Sequence, residues 1–335
     1  MLPVIFGLSG PVLTDAERGF FADTDPAGYI LFRRNCTDSD QLRALTDDLR
    51  AVHGRPDLPI LIDQEGGRVA RMAPPAWPEF PAAAMFARLY DKAPVSAIEA
   101  ARANAGAIAA LLREAGINVD CLPLLDVRAP GGSDIIGDRA LGAEPMQVAA
   151  LGRAILEGLA EGGVGGVIKH MPGHGRAAAD SHLALPVIDA PSEALERDLE
   201  PFIRLREAPM GMSAHVVYTA WDPDRCASLS PVVIADIIRT RIGFGNFLMS
   251  DDIGMNALSG TMGERAAGVV GAGCDAALHC SGDMAEMKDV AAALSAINSQ
   301  SAGRLTRAMA TLADDAPEPN YDMLAAKRDA LLAYA

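Results

Sequence analysis

Eight short apolar runs recur along the chain: residues 3–8 (PVIFGL), 28–32 (GYILF), 58–63 (LPILID), 117–127 (INVDCLPLLDV), 165–170 (GGVIKH), 211–218 (GMSAHVVY), 246–252 (NFLMSDD) and 274–280 (CDAALHC). They are largely continuous in apolar character and often bounded by Gly or Pro. Strands covered on both faces read this way, because no position along them is reserved for water. The stretches between carry helical spacing instead. Leu42, Leu45 and Leu49 recur at three-to-four intervals within 38–52, behind the capping candidates Asp38 and Ser39. Further helices are expected over 96–116, which ends on Gly116, and over 144–162, 192–208 and 230–243, with a helical C-terminal part from about residue 285 to 335.

Eight strands with helical spacers predict an α/β fold, a (β/α)8 TIM barrel, with residues 1–335 as a single domain. The alternative, a doubly wound open sheet, lacks a Gly-rich phosphate fingerprint after its first strand. Polar residues favour the barrel too. Asp63, Lys169, His170, Asp251 and Asp252 end apolar runs, and His215 lies in one. A barrel gathers those ends on one face, whereas an open sheet spreads them along an edge.

Composition narrows the partners. A net charge of −15 makes nucleic acid and anionic membranes poor candidates. No run of 18 apolar residues predicts a membrane span, and the opening MLPVIFGLSG lacks the basic region of a signal peptide. The five cysteines (Cys36, Cys121, Cys226, Cys274 and Cys280) are scattered, as expected for reduced core thiols of a cytoplasmic protein.

The chemistry concentrates in KHMPGHGRAAADSH (169–182), which holds three of the six histidines. His170 and His174 have the four-residue spacing of helical zinc ligands, with His182 as a third. Pro172 and Gly173 break the helix that spacing needs, so no metal is expected. Proton transfer fits better. Asp180 and His182 are two apart on a non-helical loop, where a turn brings the carboxylate onto one ring nitrogen and leaves the other to exchange a proton. The small side chains of RAAAD suit a loop that closes over substrate.

Asp251 offers a nucleophile, a general base or a metal ligand; the alternative is a helix N-cap, a role open equally to Asp252 or Ser250. In DQEGGRVARM (63–72), Gly66 and Gly67 allow close backbone approach to a ligand, and Asp63, Arg68 and Arg71 are hydrogen-bonding candidates. Arg139 joins Arg71 and Lys169 in an expected basic rim suited to hydroxyls or an anionic group. His215 is read as a satisfied core histidine, with pocket lining as the alternative.

Six pieces then form a pattern: ILFRRN (30–35), IDQEGGRVAR (62–71), LPLLDV (122–127), IIGDRALG (135–142), KHMPGHG with DSH (169–182) and MSDDIGM (249–255). In this order they resemble the family 3 glycoside hydrolases, specifically the short bacterial β-N-acetylglucosaminidases of the NagZ type. Met171 stands where that family usually has Phe, and the last eighty residues or so carry no assignable motif. The resemblance implies a retaining mechanism with Asp251 as nucleophile, His182 as acid/base and Asp180 as its partner. Asp63, Arg71, Arg139, Lys169 and His170 would bind N-acetylglucosamine. It implies no metal or organic cofactor. The substrate class is a small-molecule carbohydrate, peptidoglycan fragments cleaved between N-acetylglucosamine and anhydro-muramic acid during cytoplasmic cell-wall recycling. A monomer is expected, with no nucleic-acid or membrane partner. Most glycosidases pair two carboxylates, and here a histidine replaces one. The competing readings are a phosphorolytic variant, a metal-dependent barrel hydrolase and a catalytically silent sugar-binding protein.

Overall fold

A computed structural model describes residues 1–177, 185–312 and 319–335. Eight parallel strands close into a barrel: β1 (Leu2–Gly7), β2 (Pro26–Leu31), β3 (Ile60–Ile62), β4 (Val119–Asp120), β5 (Gly165–Met171), β6 (Met210–Ser213), β7 (Phe247–Asp252) and β8 (Ala276–His279). Each coincides with one of the eight apolar runs. β1 pairs with both β2 and β8, and Val4 opposite Ala277 seals the ring, which rules out the open sheet.

The strands look uniformly apolar because they separate two cores. Ile5, Ile30, Leu61, Val119, Val167, Met249 and Leu278 fill the barrel interior. Their immediate neighbours, among them Phe6, Leu31, Ile62, Ile168, Leu248 and Ala277, join a larger cluster under the helices. Side chains alternate along a strand, so the residue two places beyond an interior one also points inward. That rule takes Ile30 to Phe32, Leu61 to Asp63, Val167 to Lys169, Met249 to Asp251 and Leu278 to Cys280. All five destinations line one cavity at the C-terminal ends of the strands.

The helices are α1 (Asp15–Thr24), α2 (Ser39–His53), α3 (Ala83–Lys92), α4 (Pro94–Glu114), α5 (Pro145–Glu161), α6 (Ser192–Arg204), α7 (Met262–Ala272), α8 (Met284–Ala293), α9 (Ser299–Ala310) and α10 (Tyr321–Leu332). The Asp38 side chain accepts the Gln41 amide and caps α2, as its sequence predicts. Among the described residues α4 alone is long and apolar enough to cross a membrane, yet most of it is buried, packed against α5 and α10. Gly158 permits that packing, since a Cβ there would collide with the Arg102 carbonyl.

Three expectations change in detail. The helix expected over 230–243 is wound with i→i+5 hydrogen bonds across Val233–Ile242. The run 117–127 keeps only two residues of regular strand, and Pro123 has no amide for the ladder; bonding to β5 continues irregularly, with the Val167 amide donating to the Leu122 carbonyl at 2.7 Å, the Lys169 amide to the Pro123 carbonyl at 3.2 Å and the Leu125 amide to the Lys169 carbonyl at 2.7 Å. The run 211–218 also divides. Met210–Ser213 stays in the barrel, while Val217–Tyr218 joins a small outer sheet with Val187–Ile188 and Asp222–Cys226. At the opposite end of the barrel from the cavity, Asp275 precedes β8. Its Oδ2 accepts from Arg239 Nη2 at 2.8 Å and the Leu248 amide at 2.9 Å; its Oδ1 accepts from Ser301 Oγ at 2.6 Å and Arg304 Nη1 at 2.8 Å.

Candidate active site

The cavity at the C-terminal ends of the strands encloses about 930 Å³ including its open mouth. Its most tightly built wall is a buried ion network. Lys169, with a side chain only 2% exposed, sits 2.9 Å from Asp63 Oδ1 and 2.7 Å from Glu65 Oε1. Arg71 Nη2 donates to Asp63 Oδ2 at 3.0 Å, and Arg139 grips Glu65 with two bonds of 2.8 Å. A two-pronged guanidinium–carboxylate pair fixes orientation as well as charge. Burial pushes the Asp63 carboxyl up, but Lys169 and Arg71 outweigh it and hold the group well below the usual carboxylate range. Burial likewise lowers Lys169, and Asp63 and Glu65 more than reverse this, so the ammonium stays charged. Asp63, Glu65 and Lys169 are therefore ionised at neutral pH.

The backbone behind this wall is pinned by Gln64. Its Oε1 accepts the backbone amides of Arg71 and Met72, at 2.9 and 3.0 Å, and its backbone amide donates to Asp120 Oδ1 at 3.0 Å. Asp120 is fully buried, and desolvation pushes its carboxyl up to about 8, so it is neutral at pH 7. Arg68 ties the facing loop down through Asp138 Oδ1 at 2.8 Å and the carbonyls of Asp134 and Ile135 at 2.8 and 2.6 Å. Phe32 lies between two cations, its ring centroid 5.0 Å from Arg34 Cζ and 5.1 Å from Arg71 Cζ.

His170 adds an oriented imidazole. Its Nδ1 lies 2.7 Å from Asp126 Oδ2, and the carboxylate acceptor assigns the proton to Nδ1. Asp126 Oδ1 accepts the amides of His170 and His174 at 3.2 and 2.6 Å. Burial pushes Asp126 up, but His170 and His174 outweigh it and bring the carboxyl down to about 2.

Asp251 occupies the inward position at the end of β7. Burial raises its carboxyl, yet His170, His215, the Asp252 amide and Lys169 together hold it below its ordinary range. The Asp252 amide donates to Asp251 Oδ1 at 2.8 Å. An ionised, partly desolvated carboxylate in a cavity is chemically fit to attack carbon or accept a proton.

Asp63, Arg71, Arg139, Lys169, His170 and Asp251 are thus brought together in one cavity. Asp180 and His182 lie outside the described residues. His215 is fully buried and satisfied, with Nδ1 2.6 Å from Ser228 Oγ and Nε2 3.0 Å from the Asp252 carbonyl. The N-cap alternative for Asp251, Asp252 and Ser250 falls away, because the next helix, α7, is capped by Thr261. Asp252 Oδ1 instead accepts the amides of Gly254 and Cys280, at 2.9 and 3.2 Å.

One further expectation needs correction. The basic rim is a largely neutralised network, because Glu65 and Asp63 interleave with Arg71, Arg139 and Lys169. Gly66 and Gly67 are each required by close approach to the chain itself. A Cβ at Gly66 would strike the Pro81 carbonyl, and one at Gly67 would stand 2.7 Å from Ala82 Cβ. Glu65 and Asp126 are the site residues that sequence reading passes over. Both lie inside the motifs quoted above, and a carboxylate in an otherwise apolar or Gly-rich stretch was the available signal. The five cysteines are free, four of them buried and Cys36 half-buried. Among the described residues no three His, Cys, Asp or Glu side chains form a group fit to hold a metal ion.

Residues 12–310 match the model of the glycosyl hydrolase family 3 N-terminal domain. A β-hexosaminidase of Aromatoleum aromaticum is 40% identical over 283 residues, which are 83% of this chain and 79% of that protein. NagZ from Neisseria gonorrhoeae, solved in complex with N-trifluoroacetyl-D-glucosamine, superposes with a TM-score of 0.87 at 31% identity and covers 99% of this chain and 98% of that one. A family 3 β-N-acetylglucosaminidase from Paenibacillus superposes at 0.84 and 31% identity, covering 98% of this chain and 66% of that one. With a closed eight-stranded barrel, a charged cavity at its C-terminal mouth and relatives of this kind, the chain belongs to glycosyl hydrolase family 3 and is a glycosidase.

Proposed function

We propose that the protein is a retaining β-N-acetylglucosaminidase that removes terminal N-acetylglucosamine from peptidoglycan fragments, acting in the cytoplasm during cell-wall recycling. The observation that carries this reading is Asp251: an ionised carboxylate at the inward end of β7, in the same cavity as a rigid cradle of alternating charges. In the proposed reaction a carboxylate oxygen of Asp251 attacks the anomeric carbon as the glycosidic bond breaks. His182, oriented by Asp180, gives its proton to the leaving oxygen. Water, deprotonated by His182, then releases the sugar and restores the carboxylate. Asp63, Arg71, Arg139, Lys169 and His170 hold the sugar through its hydroxyl and acetamido groups. Their geometry is set before binding, which lowers the cost of ordering them around substrate. The NagZ structure with a glucosamine derivative lends this subsite its chemistry. The reaction as proposed uses no metal or organic cofactor, and one chain suffices for it.

The test is turnover of an aryl N-acetyl-β-glucosaminide by the wild type, Asp251→Ala and His182→Ala. Asp251→Ala is expected to lose roughly a thousandfold or more in kcat, the scale seen when a nucleophile is removed. His182→Ala should lose less on a substrate with a good leaving group. Normal turnover by Asp251→Ala sinks the nucleophile assignment, as does a fluorinated sugar that labels another residue. Release of a sugar 1-phosphate in phosphate buffer identifies the phosphorolytic variant instead, and activity abolished by a chelator would favour the metal-dependent hydrolase.

A further inference from the structure

The chain enters residues 178–184, which include Asp180 and His182, from a turn held on several sides. Tyr218 Oη donates to the Gly173 carbonyl at 2.8 Å, Asp126 accepts the His174 amide, and the Ser133 amide donates to the Ala177 carbonyl at 2.8 Å. Gly175 presses on the Val127 carbonyl so closely that no Cβ fits. Arg176 completes the turn. Its Nε lies 2.5 Å from Asp198 Oδ2 and its Nη2 3.2 Å from the Ala194 carbonyl, both on α6. Gly173 lies against the same side chain, where a Cβ would stand 3.2 Å from Asp198 Cβ.

This ion pair is a poor stabiliser. Asp198 is 3% exposed, and its Oδ1 has no partner among the described residues. Burial pushes its carboxyl up to about 6, against the pull of Arg176 and of Arg197, with Asp126 adding repulsion. Folding therefore favours the protonated form: the stability this group adds is complete below the ordinary value of 3.8 and declines as pH rises through about 6. A buried charge kept at such a cost, at the root of a functional segment, is expected where function overrides stability.

We propose that Arg176 and Asp198 are positioning residues for the acid/base half of the reaction, fixing the point from which the chain carries Asp180 and His182 to the sugar. The inference rests on the reading of His182 as acid/base. His182 is six residues beyond Arg176, a reach of at most about 20 Å from the point that the pair fixes. Proton transfer needs approach to about 3 Å. The attack by Asp251, carried on β7, is independent of that root.

The test is a leaving-group series of aryl N-acetyl-β-glucosaminides with the full-length wild type, Asp198→Asn, Arg176→Gln and His182→Ala. Both latch variants should keep kcat/KM within about threefold on the most activated substrate. On the least activated they should lose about 10- to 100-fold, the cost of misplacing a catalytic group by roughly an ångström. Asp198→Asn should do so with Tm at pH 7 unchanged or raised. A uniform loss across the series, no loss at all, or a collapse of Tm in both variants overturns the proposal, the last by making the pair structural. His182→Ala separates the failures. If it shows no leaving-group dependence, the acid/base reading falls; if it does and the latch variants do not, only the latch falls.

Discussion

Glu65 and Asp275 are both carboxylates less than a tenth exposed, each gripped by two cations, at opposite ends of one barrel. Asp275 receives four protein donors, two per oxygen, and these tie α9 and the segment Val233–Ile242 to the starts of β7 and β8. Glu65 belongs to a network facing a cavity, where Lys169 and Arg139 are its partners on one side and open space lies on the other. Burial and pairing alone thus do not mark a functional site. What distinguishes the mouth cluster is that its groups are held in place while still bordering space a ligand can fill.

The sharpest way to break this contrast is to cut one partner from each cluster. Lys169→Met and Asp275→Asn should each cost about 3–5 kcal/mol in denaturant unfolding, since both leave buried charges uncompensated. Only Lys169→Met should also raise KM for the aryl glycoside, by tenfold or more if about 1.4 kcal/mol of binding is lost. An equal rise in KM for Asp275→Asn would erase the distinction between the two ends.

A smaller effect tests whether the mouth is held by ionised carboxylates. Asp126 sits at about 2 in the folded chain against an ordinary 3.8. A depressed carboxyl adds stability that is full above its unfolded value and is lost as pH falls through the folded one. The wild type should therefore lose about 2 kcal/mol from this group between roughly pH 4 and pH 2. Asp126→Asn should flatten that limb of the stability curve, and an unchanged acid limb would contradict the assignment.

A further pH effect, at Asp120, has the opposite sign. Its folded carboxyl stands at about 8, so the proton is retained where the unfolded chain releases it. The stability this supplies is complete below 3.8 and falls as pH rises through about 8. Asp120→Asn cannot ionise and keeps an acceptor for the Gln64 amide. Its Tm should exceed that of the wild type by a few degrees at pH 8, with little difference at pH 4. A larger gain at pH 4 than at pH 8 would reverse the reading.

Legibility followed the length scale of each signal. The barrel was readable because doubly covered strands are short and continuous in apolar residues, and eight of them survive as separate runs. Helices α2, α4, α5 and α6 were readable from Leu and Ala spacing; α8, α9 and α10 fell within a general helical expectation for the stretch from about residue 285 to 335, and α1, α3 and α7 were not anticipated. Inward and outward positions within a strand were hidden, because Leu61 and Ile62 are equally apolar while facing different cores. Asp251 and Asp252 were therefore equal candidates by pattern, and the family resemblance rather than periodicity separated them.

The sequence by itself determined the count and order of the barrel elements and the motif set of the family, both of which reside in contiguous residues. Only the tertiary structure decided that Glu65 locks Arg139 to Lys169, that Asp126 orients His170, and that Gly66 and Gly67 make room for Pro81 and Ala82. The physical reason is distance along the chain. Glu65 and Arg139 are 74 residues apart, and Asp126 and His170 are 44 apart. Such pairs leave no local spacing to read, and they meet only when closure of the barrel brings the strand ends to one mouth.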